Sequence, residues 1–435
     1  MKIILDAFFD NNFGDDFFIS TILARYPQAE FYVFWNRVHP AVMQRAGALG
    51  NLKILPGNCM IMDEIRFDGY VLIGGDVFLD WGDYSRRIAY MRAVKKQGGF
   101  VALQGFNLYE EYCEKTIEDL RTMMQLADVI VPRDRATVER LQMLVPDVEV
   151  VASTDMAFTA RFDYSKTEER EILGIAPRKK YRVDEAAHQV YCDGVAAIAD
   201  GWLTKHPNGI VRFLAFSVGE FDDVAVSEEI ISRMEHGVRT EIAAHNGDLP
   251  AFMEQLRNCT AMLPTRFHGL VFALIYEIPF VAVTYEVKLN QLLDELNYIG
   301  LRLPYGEVIS PEQIERAVAE LDLKQIDEAA LAAYYEKADR FFASLDRMVA
   351  EGSQRDEEVP SGEFVCTALR DAMDENAELK IKLDRLQMQY DYLMEDRNNV
   401  TQMYYDLLDR TKHFKGLVYL LAKRIVLLFR KEKSE

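Results

Sequence analysis

Short β-branched and aromatic apolar runs alternate with stretches of helical spacing through the first 160 residues, and few architectures accept that pattern. It is the signature of βαβ units around a parallel sheet. The runs predict strands at residues 2–5, 30–35, 70–73, 99–104, 129–132 and 148–152. Polar or glycine-containing loops follow several of them: DNNFGDD (10–16), GGD (74–76), QGFN (104–107) and PRD (132–134). Ligands of open parallel sheets collect at the carboxyl ends of strands, so these loops are where chemistry is expected.

The alternation restarts near residue 171. Strands are expected at 172–176, 211–217, 240–243, 261–264 and 280–284, with a long helix running through Trp202 and shorter ones near 227–236 and 249–258. The fold class is therefore α/β, with two Rossmann-like doubly wound domains facing each other. The division is 1–165 for the first domain and 166–350 for the second. A chain of 435 residues has room for both and an extension.

The charged, Gly/Ser/Pro-containing stretch 351–363 reads as a linker. Beyond it Leu379, Leu383, Leu386, Tyr390, Leu393, Val400, Tyr404 and Leu407 follow heptad spacing, with Arg397 interrupting. Residues 364–411 are thus a helical segment: a coiled coil that joins copies of the chain, or a helix folded back on the globular part. Residues 412–435 hold seven Lys or Arg against two Glu, while the whole chain carries −20. Phe414, Leu417, Val418, Leu421, Ile425, Leu428 and Phe429 recur at helical spacing in this tail, interrupted by basic residues too often to span a bilayer. The expectation is a basic amphipathic tail lying on an anionic membrane surface, or else buried against protein.

The strongly negative remainder excludes general affinity for nucleic acid. Cys59, Cys113, Cys192, Cys259 and Cys366 read as isolated, with no CxxC pair and no neighbouring His at ligand spacing. A reducing compartment and no metal site follow from that reading. Asp6 interrupts any signal-peptide core, so a cytoplasmic protein without a transmembrane helix is expected, peripheral on the inner face of the plasma membrane.

The DNNFGDD turn offers backbone amides to an anion, and Asp15 or Asp16 could orient a sugar hydroxyl or act as a base; the plainer reading is a βα turn with an Asp cap. Gly74 and Gly75 permit close ligand approach or simply make a turn. The sharpest segment is PTRFHGLVFALIYEIPFVAVTYEVK, 264–288. Arg266 and His268 stand at a strand-to-helix junction, where both side chains and the helix amides can converge on an anion. The following helix is apolar nearly all round and therefore buried, so the charged residues at its entrance need a partner: a ligand, or Asp155 or Glu286 in a structural pair. The other six histidines, His39, His188, His206, His236, His245 and His413, have polar neighbours and read as surface residues.

With NNFGDD, IGGD (73–76), VIVPRD (129–134), ASTDMAF around Asp155, ILGIAPRK (172–179), the Asp222-Asp223 pair and TRFHGLVFALIYEIPFVAVTYEVK, the chain resembles the polysaccharide pyruvyl transferases over residues 2–300. The resemblance implies a GT-B-like two-domain fold. It also implies transfer of an enolpyruvyl group from phosphoenolpyruvate to a sugar diol, closing a pyruvate ketal during cell-surface glycan assembly. Arg178, Arg266 and His268 fall on the positions implied to hold the donor's phosphate and carboxylate. Where relatives often have a third glycine this chain has Asp76, which would oppose an anionic donor unless it faces the sugar. Arg forks suit both anionic groups of the donor, and His268 is the expected acid. Asp15, Asp76 and Glu286 are the candidate bases. Asn12, Gly14, Gly74, Gly75, Gln104 and Lys288 complete the candidate substrate-binding set. No cofactor is expected beyond phosphoenolpyruvate as donor; the acceptor is a sugar, possibly carried on a lipid. A glycosyltransferase using a nucleotide sugar, and a non-catalytic scaffold with the same fold, are the alternatives.

Overall fold

The computed structural model describes residues 1–34, 50–55, 65–80, 82–160, 162, 165–180, 184–218 and 222–352. The linker, the heptad segment, the basic tail, His39, His413, Cys59 and Cys366 lie outside the described residues, so those expectations are not addressed by it.

The first half contains β1 (Lys2–Asp6), α1 (Phe13–Arg25), β2 (Glu30–Phe34), β3 (Leu52–Leu55), β4 (Gly69–Ile73), α2 (Ser85–Lys96), β5 (Phe100–Gln104), α3 (Glu114–Leu126), β6 (Val129–Val131) and α4 (Arg135–Leu144). Its strands form one parallel sheet in the order β3-β2-β1-β4-β5-β6. The buried runs Ile3–Leu5 and Val71–Ile73 explain why these central strands lack polar alternation. The expected strand at 148–152 is only a bridge from Val150 to Ile130, and β3, too short to stand out from its neighbours, was not expected.

The second half contains β7 (Ile172–Ala176), α5 (Glu185–Lys205), β8 (Ile210–Ala215), α6 (Asp223–Ile231), β9 (Thr240–Ala244), α7 (Leu249–Arg257), β10 (Ala261–Pro264), α8 (Phe267–Ile275), β11 (Ala282–Thr284), α9 (Val287–Glu295), β12 (Arg302–Pro304) and α10 (Pro311–Glu320). Its larger sheet is parallel with order β10-β7-β8-β9. In both sheets the strand order reverses beside the first strand of the domain. The reversal lies between β1 and β4 in one and between β7 and β10 in the other, and such points open a crevice at the strands' carboxyl ends.

The halves meet through apolar packing. The Phe13 ring, wholly buried, touches Phe216, Phe252 and Phe272 of the second half at centroid distances of 5.3, 4.9 and 5.1 Å. Burying such a side chain stabilises by about 1.5–3 kcal/mol. The Phe13 amide donates to the Phe216 carbonyl at 2.9 Å, and Asn12 bridges Ser217.

The last two described helices, α11 (Glu328–Ala338) and α12 (Ala343–Gly352), lie against the first half although they follow the second in sequence. Arg25 Nη2 pairs with Asp346 at 2.6 Å, Tyr334 packs on Phe158, and Gln104 Nε2 donates to the Phe341 carbonyl at 3.1 Å. Residues up to 350, assigned by sequence to the second domain, thus include a return segment that covers the first. Among the described residues no helix is long and apolar enough to cross a membrane.

Candidate functional site

Six strand ends, including β8 with Phe216, converge on one small cavity of ≈ 80 Å³. The turn after β1 supplies Asn12 and Asp15, that after β4 supplies Gly75 and Asp76, and that after β6 supplies Arg133. From the second half come Arg178 after β7, then Arg266, Phe267 and His268 after β10, and Lys288 from the first turn of α9. Four basic side chains therefore face one small space at the two points where strand order reverses.

Each turn has a local reason. Asn12 caps α1, its Oδ1 accepting from the Gly14 amide at 3.0 Å; Asp16 N donates to the Asn12 carbonyl at 2.9 Å. The cap is Asn12 instead of an Asp, and the Phe13, Gly14 and Asp16 amides expected to face an anion are already bonded within the protein. Gly74 has φ +142, and a β-carbon on Gly75 would lie 2.1 Å from Arg133 Nη1, so the second glycine makes room for an arginine. At α8, by contrast, no side chain caps the amino end. First-turn amides of a helix have no partner within it, so this end is suited to an anion.

Arg133 is buried and its guanidinium donates to Asn107 Oδ1, with Asp76 at 3.5 Å and Asp155 at 3.8 Å. It also lies 4.5 Å over the Phe267 ring. Sequence reasoning singled out its PRD loop but not the residue. Arg266 is forked onto Asp223, with Nε 2.9 Å from Oδ2 and Nη2 2.5 Å from Oδ1. The expected structural partners, Asp155 and Glu286, are not the ones used. The Asp223 carboxylate also accepts from the Phe216 and Ser217 amides, which locks this pair as part of the cavity wall.

Lys288 Nζ reaches Asp76 Oδ2 at 2.5 Å and Glu286 Oε2 at 2.6 Å. Burial works to raise the Asp76 carboxyl, but Lys288 and Arg133 overcome it and hold the group well below the usual carboxylate range. Asp76 is therefore a charged, weakly basic partner of Lys288, which removes it as a candidate base. Asp15 behaves oppositely. Burial, then the neighbouring Asp16, Asp76 and Asp10, push its carboxyl up to about 8. His268 is pushed down to about 3 by burial and by the charges of Arg133 and Lys288. The expected acid is thus neutral in the ligand-free site, and the proton sits on Asp15.

The His268 ring is wedged between Gly14 and Asp155, whose Oδ2 is 3.7 Å from Nε2, and packs edge-on to Phe18 at 5.2 Å. Both facing atoms are buried without a hydrogen-bond partner. Gln104 is the expected site residue that the structure places elsewhere, wholly buried against Phe341. Gly14 and Gly74 shape the cavity without lining it. Glu286 lines a second, larger cavity of ≈ 690 Å³ with Tyr109, Arg140, Tyr285, Asn290 and Arg302; Lys288 belongs to both spaces.

Two histidines expected at the surface are fully buried. His245 bonds Asp16 across the domains at 2.7 Å, and His188 contacts Tyr305 and Glu229. His188 also shares a face of α5 with Cys192, four residues on, which corrects the reading that no cysteine has a histidine at ligand spacing.

Two parallel sheets whose carboxyl ends border one basic cavity define a two-domain α/β protein of GT-B-like fold. The Methanocaldococcus jannaschii UDP-GlcNAc 2-epimerase is similar in structure, with TM-score 0.54 and 10% identity over 80% of this chain and 99% of that one. Arabidopsis thaliana UGT89C1, solved with UDP-L-rhamnose, is similar at TM-score 0.51 and 11% identity, over 81% and 98% of the two chains. A search of curated proteins found no match. The family model of polysaccharide pyruvyl transferase matches residues 3–287, and the chain belongs to that family.

Proposed function

We propose that the protein transfers an enolpyruvyl group from phosphoenolpyruvate to a sugar diol, forming a pyruvate ketal in the assembly of a cell-surface glycan. The observation that carries this reading is the convergence of Arg133, Arg178, Arg266 and Lys288 with His268 on one small cavity. A phosphate and a carboxylate on a single carbon need that density of positive charge, and planar guanidinium forks match both groups. The uncapped amino end of α8 adds backbone donors.

The larger cavity next door is within the range of roughly 300–1,000 Å³ typical of ligand sites and suits the acceptor. Lys288 borders both, so donor and acceptor would meet beside it. Asp15, protonated at neutral pH, gives its proton to the donor's methylene carbon, making the neighbouring carbon electrophilic. One sugar hydroxyl adds there and gives its proton to the Asp15 carboxylate that the first transfer leaves, while Glu286, on the wall of the larger cavity, orients the diol. The second hydroxyl closes the ring as phosphate leaves, and its proton departs with the phosphate. His268, backed by Asp155, borders the donor, and an anionic ligand beside the ring would raise its proton affinity enough for it to carry the second hydroxyl's proton to the departing phosphate.

Acceptor-dependent release of inorganic phosphate from phosphoenolpyruvate tests this reading. Release of a nucleoside diphosphate from a sugar nucleotide would favour glycosyl transfer instead, a reading for which UDP-L-rhamnose on the Arabidopsis relative is a precedent. Absence of phosphoenolpyruvate binding by calorimetry at millimolar ligand would favour a non-catalytic scaffold.

A further inference from the structure

A second chemical constellation lies apart from the cleft, where α5 packs on α6. His188 and Cys192 project from one face of α5 because residues four apart in a helix stand one above the other. Glu229 of α6 faces them, and one potential ligand atom from each of the three lies within 4.8 Å of the others. His188 Nε2 is 3.0 Å from Glu229 Oε2 and 3.7 Å from Cys192 Sγ. Zinc bonds of about 2.0–2.2 Å to nitrogen or oxygen and about 2.3 Å to sulfur, set at a tetrahedral angle, give edges of about 3.3 Å and about 3.6 Å. The observed separations bracket these edges.

The surroundings orient the same atoms. The other ring nitrogen, His188 Nδ1, is 2.8 Å from the Tyr305 hydroxyl. Binding of a cation at Nε2 uses the tautomer in which Nδ1–H donates to that hydroxyl, which the 2.8 Å separation accommodates. Glu229 Oε1 accepts from Gln189 Nε2 and Arg233 Nη2, both at 3.0 Å, which turns Oε2 toward His188. Support of this kind behind a histidine and a carboxylate is typical of metal ligands, and its loss weakens binding. Either a proton or a cation can lie between Nε2 and Oε2, and the neighbouring sulfur favours a cation of zinc type.

We propose that His188 Nε2, Cys192 Sγ and Glu229 Oε2 bind one zinc(II) ion, with water in the fourth position. His188 and Cys192 are fully buried, whereas the Glu229 side chain is 31% exposed, which leaves a solvent-facing side for the water. Binding displaces the thiol proton, so affinity increases with pH. The ion would clamp α5 to α6 behind the loop that carries Arg178, whose amide donates to the Tyr191 hydroxyl at 3.3 Å from the same helix. The proposal is independent of which group the cleft transfers.

The test uses full-length, tag-free protein stripped with a chelator and titrated with cobalt(II). The expected result is one cobalt per chain, intense visible d–d bands of tetrahedral type, a sulfur-to-cobalt charge-transfer band, and displacement of all of these by zinc. Cys192→Ser should abolish the charge-transfer band, and Glu229→Gln, a change at a part-exposed carboxylate, should weaken binding about 10-fold or more. Cys259→Ala should leave the spectra unchanged. Failure of the wild-type protein to retain cobalt overturns the proposal without reference to any variant, as does a charge-transfer band that survives Cys192→Ser.

Discussion

His268 occupies the place where residue 14 would carry a side chain: a β-carbon on Gly14 would lie 1.9 Å from the imidazole Nδ1. Helix α1 of one domain and α8 of the other can approach only because that β-carbon is missing. Gly14→Ala should therefore push the ring aside, at about 1–3 kcal/mol of stability. The expected outcome is a folded protein, by circular dichroism, whose turnover falls far more than its melting temperature.

The raised carboxyl of Asp15 ties activity and stability to pH in the same window. Its folded value of about 8 exceeds the ordinary 3.8, so the folded state keeps a proton that the unfolded chain releases. Stability contributed by this group is complete at low pH and is lost as pH rises from about 4 to about 8. Asp15→Asn should be increasingly more stable than wild type across that interval in urea titrations, with a constant difference above it. In activity, the wild type should lose its acid above about pH 8, and the Asn variant should lose about 100-fold in turnover together with that alkaline limb.

Arg266 and Arg133 line the same cavity and should fail differently. Arg266→Ala strands the buried Asp223 carboxylate without its fork, a loss of about 3–5 kcal/mol visible in denaturant unfolding. Arg133→Lys keeps the charge near Asp76 and Asp155 but loses the planar fork and the stacking on Phe267, so it should cost about 1.5–3 kcal/mol in donor binding and less in unfolding than Arg266→Ala. Isothermal titration with phosphoenolpyruvate distinguishes the two.

Asp76 neutralises Lys288 in the small cavity. Replacing it with Asn should strengthen phosphoenolpyruvate binding and lower its KM, because the ammonium is then shared with Glu286 alone. A weaker donor complex would mean that Asp76 is needed to hold Lys288 in place.

The basic tail is proposed to hold the protein on anionic membrane. Each Lys or Arg near such a leaflet contributes about 1 kcal/mol. Full-length protein should float with anionic liposomes at low salt and be released at high salt, and truncation after Arg410 should abolish flotation.

The sheets were legible because buried parallel strands are written as uninterrupted apolar runs, as at Val71–Ile73 and Ala261–Pro264. The candidate site was legible in its motifs but not in its pairings. Arg266 finds Asp223, forty-three residues earlier, and no local signal distinguishes that partner from Asp155 or Glu286. Arg133 was hidden for a similar reason: its importance comes from Gly75, Asn107 and Asp155, which meet it only after the sheet has formed. His188 and His245 looked exposed because their sequence neighbours are polar, whereas their burial is imposed by Tyr305, Glu229 and Asp16 from other elements. The opposite tuning of Asp15 and His268 is likewise a property of the assembled cavity.

The return of α11 and α12 to the first half brings the end of the described chain back to its beginning: a β-carbon on Gly352 would lie 2.2 Å from the Met1 Cε. The chain crosses between the halves twice, before β7 and again before α11, so the second half is tethered to the first at both of its ends. The buried seam of Phe13 against Phe216, Phe252 and Phe272 closes that loop of chain, and it keeps Arg178, Arg266, His268 and Lys288 in register with Asn12, Asp15, Asp76 and Arg133 across the cavity.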